Sequence, residues 1–107
     1  MTEQLDPQQA VDYIRDNARP LAKAKAERVY LEEFRKSKKA ILMQSVNSLP
    51  IGAQEREAYA HAEYIAVLEA LKSAVEAEEF LRWRMVAAQA RVEVWRSTEA
   101  SNQIGRA

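Results

Sequence analysis

The chain has 107 residues, with 16 Lys and Arg against 16 Asp and Glu, and it is 48% apolar and 30% charged. That length suits one domain with a modest core, the composition is that of a folded chain, and a formal net charge of zero points to no partner by itself. The absence of cysteine excludes disulfides, thiolate metal sites and cysteine nucleophiles, and no apolar run approaches the roughly 18 residues of a membrane-spanning helix.

The opening residues MTEQLDPQQA lack a basic segment followed by an apolar one, so no signal peptide and no membrane partner are expected. Asp6-Pro7-Gln8-Gln9 reads as a helix start. Asp6 can accept from orphan N–H groups, Pro7 suits the first helical position and Gln9 completes a capping box. The first helix is predicted over about 7–18, with Val11, Ile14 and, less centrally, Leu5 and Tyr13 on its apolar side. Pro20 lacks an N–H and disfavours helical angles at Arg19, which predicts a break or sharp kink there.

A long helix is predicted over about 20–46, with Leu31, Phe34, Ile41, Leu42 and Ser45 on one face. Residues 47–53 form the predicted loop, where Pro50 blocks continuation and Gly52 can adopt positive φ. A second long helix is predicted over about 54–101, some 70 Å at 1.5 Å per residue, with a bend near Ala60-His61-Ala62. The fold class is therefore all-α, a single domain formed by a long antiparallel, coiled-coil-like helical hairpin with a short N-terminal helix.

The segment FLRWRMVAAQARVEVW, residues 80–95, is apolar on two sides. On a wheel of 100° per residue, Leu81, Met85, Ala88, Val92 and Trp95 fall within about 40° of one another's centre, and Phe80, Trp83, Ala87, Ala90 and Val94 centre about 220° away. Arg84 and Arg91 occupy a strip between them. Two stripes call for two neighbours: helix 20–46, and either the N-terminal helix or a second chain. The short N-terminal helix offers too little apolar surface for a whole stripe. The expectation is therefore a homodimer, antiparallel or side by side, with a four-helix-like core, assembled through Phe80, Leu81, Trp83, Met85, Ala87, Ala88, Val92, Val94 and Trp95. The alternative is a monomeric three-helix bundle. Upstream, Tyr64, Leu68, Leu71 and Val75 keep heptad spacing, and the series 75, 78, 81, 85 then contains two steps of three, a stammer.

Catalytic and metal chemistry find little support. His61 is the lone histidine, and Glu57 stands four residues before it rather than at the Glu-x-x-His spacing of bundle metal sites. There is no glycine-rich phosphate loop and no nucleophile elbow. Glu76, Glu78 and Glu79 read as solvated or lysine-paired carboxylates. No catalytic residue, metal, cofactor or small-molecule substrate is expected. Charge is more informative. Residues 19–39 hold eight basic and three acidic side chains, and residues 54–79 two basic and seven acidic. In a hairpin these segments attract and fix the register, although exposed pairs contribute only about 0–1 kcal/mol each. The wheel places Lys38 toward the apolar face, opposite a glutamate of the second helix. It places Arg28, Arg35 and Lys39 on an outward row flanked by Lys25 and Lys36. Such a row can follow a phosphate backbone, so Lys25, Arg28, Arg35, Lys36 and Lys39 are the candidate nucleic-acid-binding residues. Trp83 and Trp95 read as packing or interface anchors rather than base-stacking platforms.

The strings AERVYLEEFRKSKKAIL, AQEREAYAHAEYIAVLEALKSAVEAEE and LRWRMVAAQARVEVWRS resemble a group of small all-helical proteins encoded by tailed phages and prophages of proteobacteria, over about residues 24–100. The resemblance implies a phage context, often near replication and recombination genes, and the cytoplasm of a bacterial host. It carries no catalytic or ligand-binding residues onto this chain. The resulting expectation is a non-enzymatic accessory protein that binds DNA or a recombination or replication protein. The competing one is a protein-only module, such as an inhibitor of a host enzyme or defence complex, whose acidic segment 54–79 would mimic nucleic-acid charge.

Overall fold

The computed structural model describes residues 6–105, and Leu5 lies outside them. Three helices follow in order: α1 (Pro7–Gln44), α2 (Ile51–Ala60) and α3 (Ala62–Gly105). There is no strand among the described residues, and the all-helical hairpin expected from periodicity is the fold observed.

Asp6 starts α1 as its sequence suggests. Its Oδ1 accepts from the N–H of Gln8 at 3.0 Å and of Gln9 at 3.2 Å, and Pro7 takes the first helical position, where its missing N–H costs nothing. Of the break or kink expected at Pro20, the break does not occur: α1 runs through Pro20 as one 38-residue helix. The local penalty, about 3 kcal/mol in a helix interior, is met on a favourable side. Pro20 and Asp16 are both exposed, so water can satisfy the Asp16 carbonyl that lost its donor. The separate short helix expected over 7–18 is therefore the beginning of α1.

The connection also differs from expectation. After Gln44 the chain turns, with Val46 N–H donating to the Met43 carbonyl at 3.1 Å and Leu49 N–H to Val46 at 3.0 Å. The Gln54 side chain reaches back to the Leu49 carbonyl at 2.7 Å, which lets helix resume at Ile51. Gly52 is thus helical, and no residue among those described has positive φ. The bend expected near His61 is a complete interruption: His61 is extended, at φ −70° and ψ 138°, and separates α2 from α3. Its backbone N–H donates to the Ala58 carbonyl at 3.2 Å, and its Nδ1 accepts from the Glu63 N–H at 3.0 Å. One residue thereby closes one helix and caps the next.

The chain forms two compact units, the first made of residues up to Ala22 with those from Glu79 onward, the second of Lys23–Glu78. In the second unit, α1 and α3 are antiparallel, since Lys38 meets Glu63 and Arg28 meets Glu78. Leu42, Ala58 and Tyr64 form its core, with Met43 packed alongside. Ala58 is only 1% exposed; its small side chain lets α2 lie close against the end of α1. In the first unit the buried residues are Ala10 of α1 and Met85 and Ala88 of α3.

The covered face of α3 is not the one that side-chain size suggests. Its covered seam runs through Tyr64, Val67, Leu71, Ala74 and Glu78 in the second unit, then Leu81, Met85, Ala88 and Val92 in the first, with Glu79 and Glu99 also half-buried beside it. Those steps alternate three and four without interruption, so the expected stammer is not present. Leu68 and Val75, assigned to the seam on hydrophobicity, are exposed. Ala74 and Glu78 take the seam positions instead. Small side chains let the helices approach, and the glutamate is carried there by an arginine.

Candidate nucleic-acid interface

On α1 the inward positions of the second unit are Ala24, Arg28, Leu31, Arg35, Lys38 and Leu42, again at alternating steps of four and three. The face is rotated by about 50° on the wheel from the expected face of Leu31, Phe34, Ile41, Leu42 and Ser45, and Ile41 is exposed. That rotation changes the fate of the basic residues. Arg28 and Arg35 are seam-side, not outward.

Arg28 donates through Nε and Nη2 to both oxygens of Glu78, the latter at 3.2 Å, and through Nη1 to Glu32 at 2.9 Å. The side chains of Arg28 and Glu78 are 24% and 12% exposed. The bidentate geometry is the strong form of such a pair, and hydrogen bonding to Glu78, then Glu32, holds the guanidinium above its ordinary pKa. Arg28 is a structural ion-pair member, and its fork is occupied within the chain. Lys38 behaves as expected, meeting Glu63 at 3.6 Å.

Lys39 lies 3.7 Å from Glu55 and 4.6 Å from the centroid of the Tyr59 ring. Hydrogen bonding to Tyr59 and the field of Glu55 raise its pKa. Lys36 pairs with Glu33 at 3.4 Å on the exposed side. Lys25 is exposed, and neither it nor Arg35 has a carboxylate within ion-pair distance among the described residues. The five basic residues therefore do not form one free row: Arg28 is tied down, Lys39 is held at its head, Lys36 is loosely paired, and Arg35 and Lys25 are open.

What the sequence did not reveal is the aromatic wall beside them. Arg35, Lys36 and Lys39 line a groove of about 420 Å³ whose other side is Tyr59 and Tyr64. The two rings meet edge to face, 5.3 Å between centroids. Tyr59 is exposed and Tyr64 buried. The signal for the pair was invisible along α1, because the tyrosines come from α2 and α3 and meet the cations only in the folded hairpin.

The interface residues divide. Met85 and Ala88 are buried within the first unit, and Leu81 and Val92 are half-buried on the same side. Those four are covered by the chain itself, by the beginning of α1 rather than by helix 20–46, and Trp95 lies at the edge of that side. Phe80 and Trp83, each 59% exposed, and Val94, 51% exposed, are bare, as are Ala87 and Ala90. A second basic groove, of about 310 Å³, lies in this unit and includes Gln9, Tyr13, Arg84 and Arg91. The Arg84 guanidinium stands 5.1 Å from the Tyr13 ring centroid and 5.5 Å from that of Phe80.

Among the described residues no group of His, Cys, Asp or Glu could hold a metal ion, and no helix is long and apolar enough to cross a membrane. No protein-family model, curated protein or solved structure matches the chain.

Proposed function

We propose that the protein is a non-enzymatic binding protein that contacts the nucleic-acid backbone through the Arg35–Lys36–Lys39 groove and assembles through the bare stripe of α3. The observation that carries the first half is Arg35. It is a guanidinium on the rim of a groove, with no carboxylate to neutralise it and two further cations beside it. Phosphate oxygens are natural occupants of such a fork. Lys39 covers the Tyr59 ring, so the contact reads phosphates rather than bases and has little sequence preference. The resemblance to phage and prophage proteins supplies the setting, an accessory role beside recombination or replication proteins.

The test is fluorescence anisotropy with labelled single- and double-stranded DNA at about 50 mM and 200 mM salt, where several phosphate contacts change affinity by orders of magnitude. Binding that weakens with salt and is lost in the Arg35→Glu, Lys39→Glu variant is the expected result. No binding at the lower salt overturns it.

The protein-only reading has one observation in its favour, the bare Phe80–Trp83–Val94 stripe. Aromatic residues exposed together are typical interface anchors. A second copy of the chain is the partner that reading names first. Mimicry of nucleic acid by residues 54–79 is less favoured, since Glu55, Glu63 and Glu78 already face cations of α1.

A further inference from the structure

We infer that the bare stripe pairs with the same stripe of a second chain in parallel orientation, with residue 80 beside residue 80 and residue 94 beside residue 94. The inference rests on the self-association reading above and adds its geometry.

Phe80, Trp83, Ala87, Ala90 and Val94 step by three and four, which is the pattern of a coiled-coil seam. They lie on the side of α3 turned away from Met85 and Ala88, so the seam is complete without disturbing the first unit's own packing. Its two edges carry opposite charge. One edge holds Arg84 and Arg91, which line a common groove and have no carboxylate within ion-pair distance among the described residues. The other holds Glu79 and Glu93, with side chains 47% and 66% exposed and each already beside an arginine of its own chain, Arg82 or Arg96.

Symmetry turns those edges into an orientation. A two-fold axis parallel to the helices sets the arginine edge of each chain against the glutamate edge of the other, and places Glu79 opposite the residue five further on, Arg84, across the seam. A perpendicular axis sets like edges together, with Arg84 opposing Arg91 and Glu79 opposing Glu93. The parallel arrangement gains attraction twice, and the antiparallel one meets repulsion on both sides. Because the bare and covered faces of α3 are opposed, four helices would lie in a row, not around the common core that two adjacent stripes would give.

The natural chain has no cysteine, so a single introduced thiol reports one position. Ala87→Cys and Val94→Cys, each in the full chain, are oxidised and run without reductant, with light scattering at high micromolar concentration and helicity measured in parallel. A disulfide needs Cα atoms within about 7 Å. In a parallel dimer both positions meet their own counterparts, and both variants are expected to become covalent dimers. An antiparallel pair crosses itself at one point only. If that point is Ala87, the Val94 copies are about 21 Å apart along the axis, at 1.5 Å per residue. A non-covalent dimer in which only one variant or neither cross-links overturns the parallel geometry and leaves self-association standing. A helical monomer at that concentration overturns both.

Discussion

The two units hold the same two helices by different chemistry. In the second unit the α1 seam carries Arg28, Arg35 and Lys38 among its apolar residues, and Glu78 and Glu63 of α3 answer two of them. In the first unit the seam residues that are buried are Ala10, Met85 and Ala88, and its arginines stand off to one side. Charge pairs at seam positions set register, because a slip by one turn would leave a guanidinium without its carboxylate. Small apolar contacts set closeness and leave register less defined. The lesson is that the second unit specifies how the helices align, and the first leaves surface available for another partner.

The largest effect should come from the second unit's core. Leu42 is buried against Ala58 and Tyr64. Leu42→Ala should cost about 3 kcal/mol from lost transfer energy and the cavity left behind. Ile41 is adjacent in sequence but exposed, and Ile41→Ala should stay within about 0.5 kcal/mol. Urea unfolding of the two variants measures the difference, and equal losses would mean the covered face of α1 is misplaced. Next in size is Pro20→Ala. Because α1 continues through Pro20, alanine would restore an N–H and remove the ring's clash with the preceding turn. Stability should rise by about 2–3 kcal/mol. A loss instead would show that α1 is interrupted there.

Much of this architecture was legible in the sequence, and the parts that were not share a cause. Helical composition, the Asp6-Pro7 start, the turn before Pro50, the pairing of Lys38 and the two stripes at 80–95 all follow from local chemistry. The seam on α3 did not, because hydrophobicity favoured Leu68 and Val75 over Ala74 and Glu78. A half-buried ion pair between Arg28 and Glu78 looks, in one dimension, like two polar surface residues. The same error moved Arg28 and Arg35 to the outside of α1. The groove at Arg35 was hidden for a further reason: Tyr59 and Tyr64 lie about twenty or more residues beyond the cations in sequence, on α2 and α3, and line the groove with them only in the folded hairpin.

The charged seam itself can be separated from surface pairing. Arg28→Ala leaves Glu78, 12% exposed, without its bidentate partner. Lys36→Ala removes only an exposed pair with Glu33, of the kind that contributes little. Thermal unfolding should therefore fall clearly for Arg28→Ala and barely for Lys36→Ala. Arg28→Ala, Glu78→Leu should recover part of the loss, since an apolar replacement of both partners removes the stranded charge. Equal midpoints for Arg28→Ala and Lys36→Ala would dissolve the contrast between the two units.

The smallest effect belongs to His61, where the second unit turns α2 into α3. Its Nδ1 accepts from the Glu63 N–H, an acceptor at the cap position that aspartate or asparagine can also provide. His61→Ala should cost about 1 kcal/mol, the usual loss of a side-chain cap. His61→Asp should keep most of it, because a carboxylate both accepts the N–H and suits the positive end of α3. If alanine and aspartate cost the same, the imidazole acts through something other than capping. If neither costs anything, backbone hydrogen bonding alone, from His61 N–H to Ala58 and from Ile65 N–H to His61, is enough to hold the break between α2 and α3.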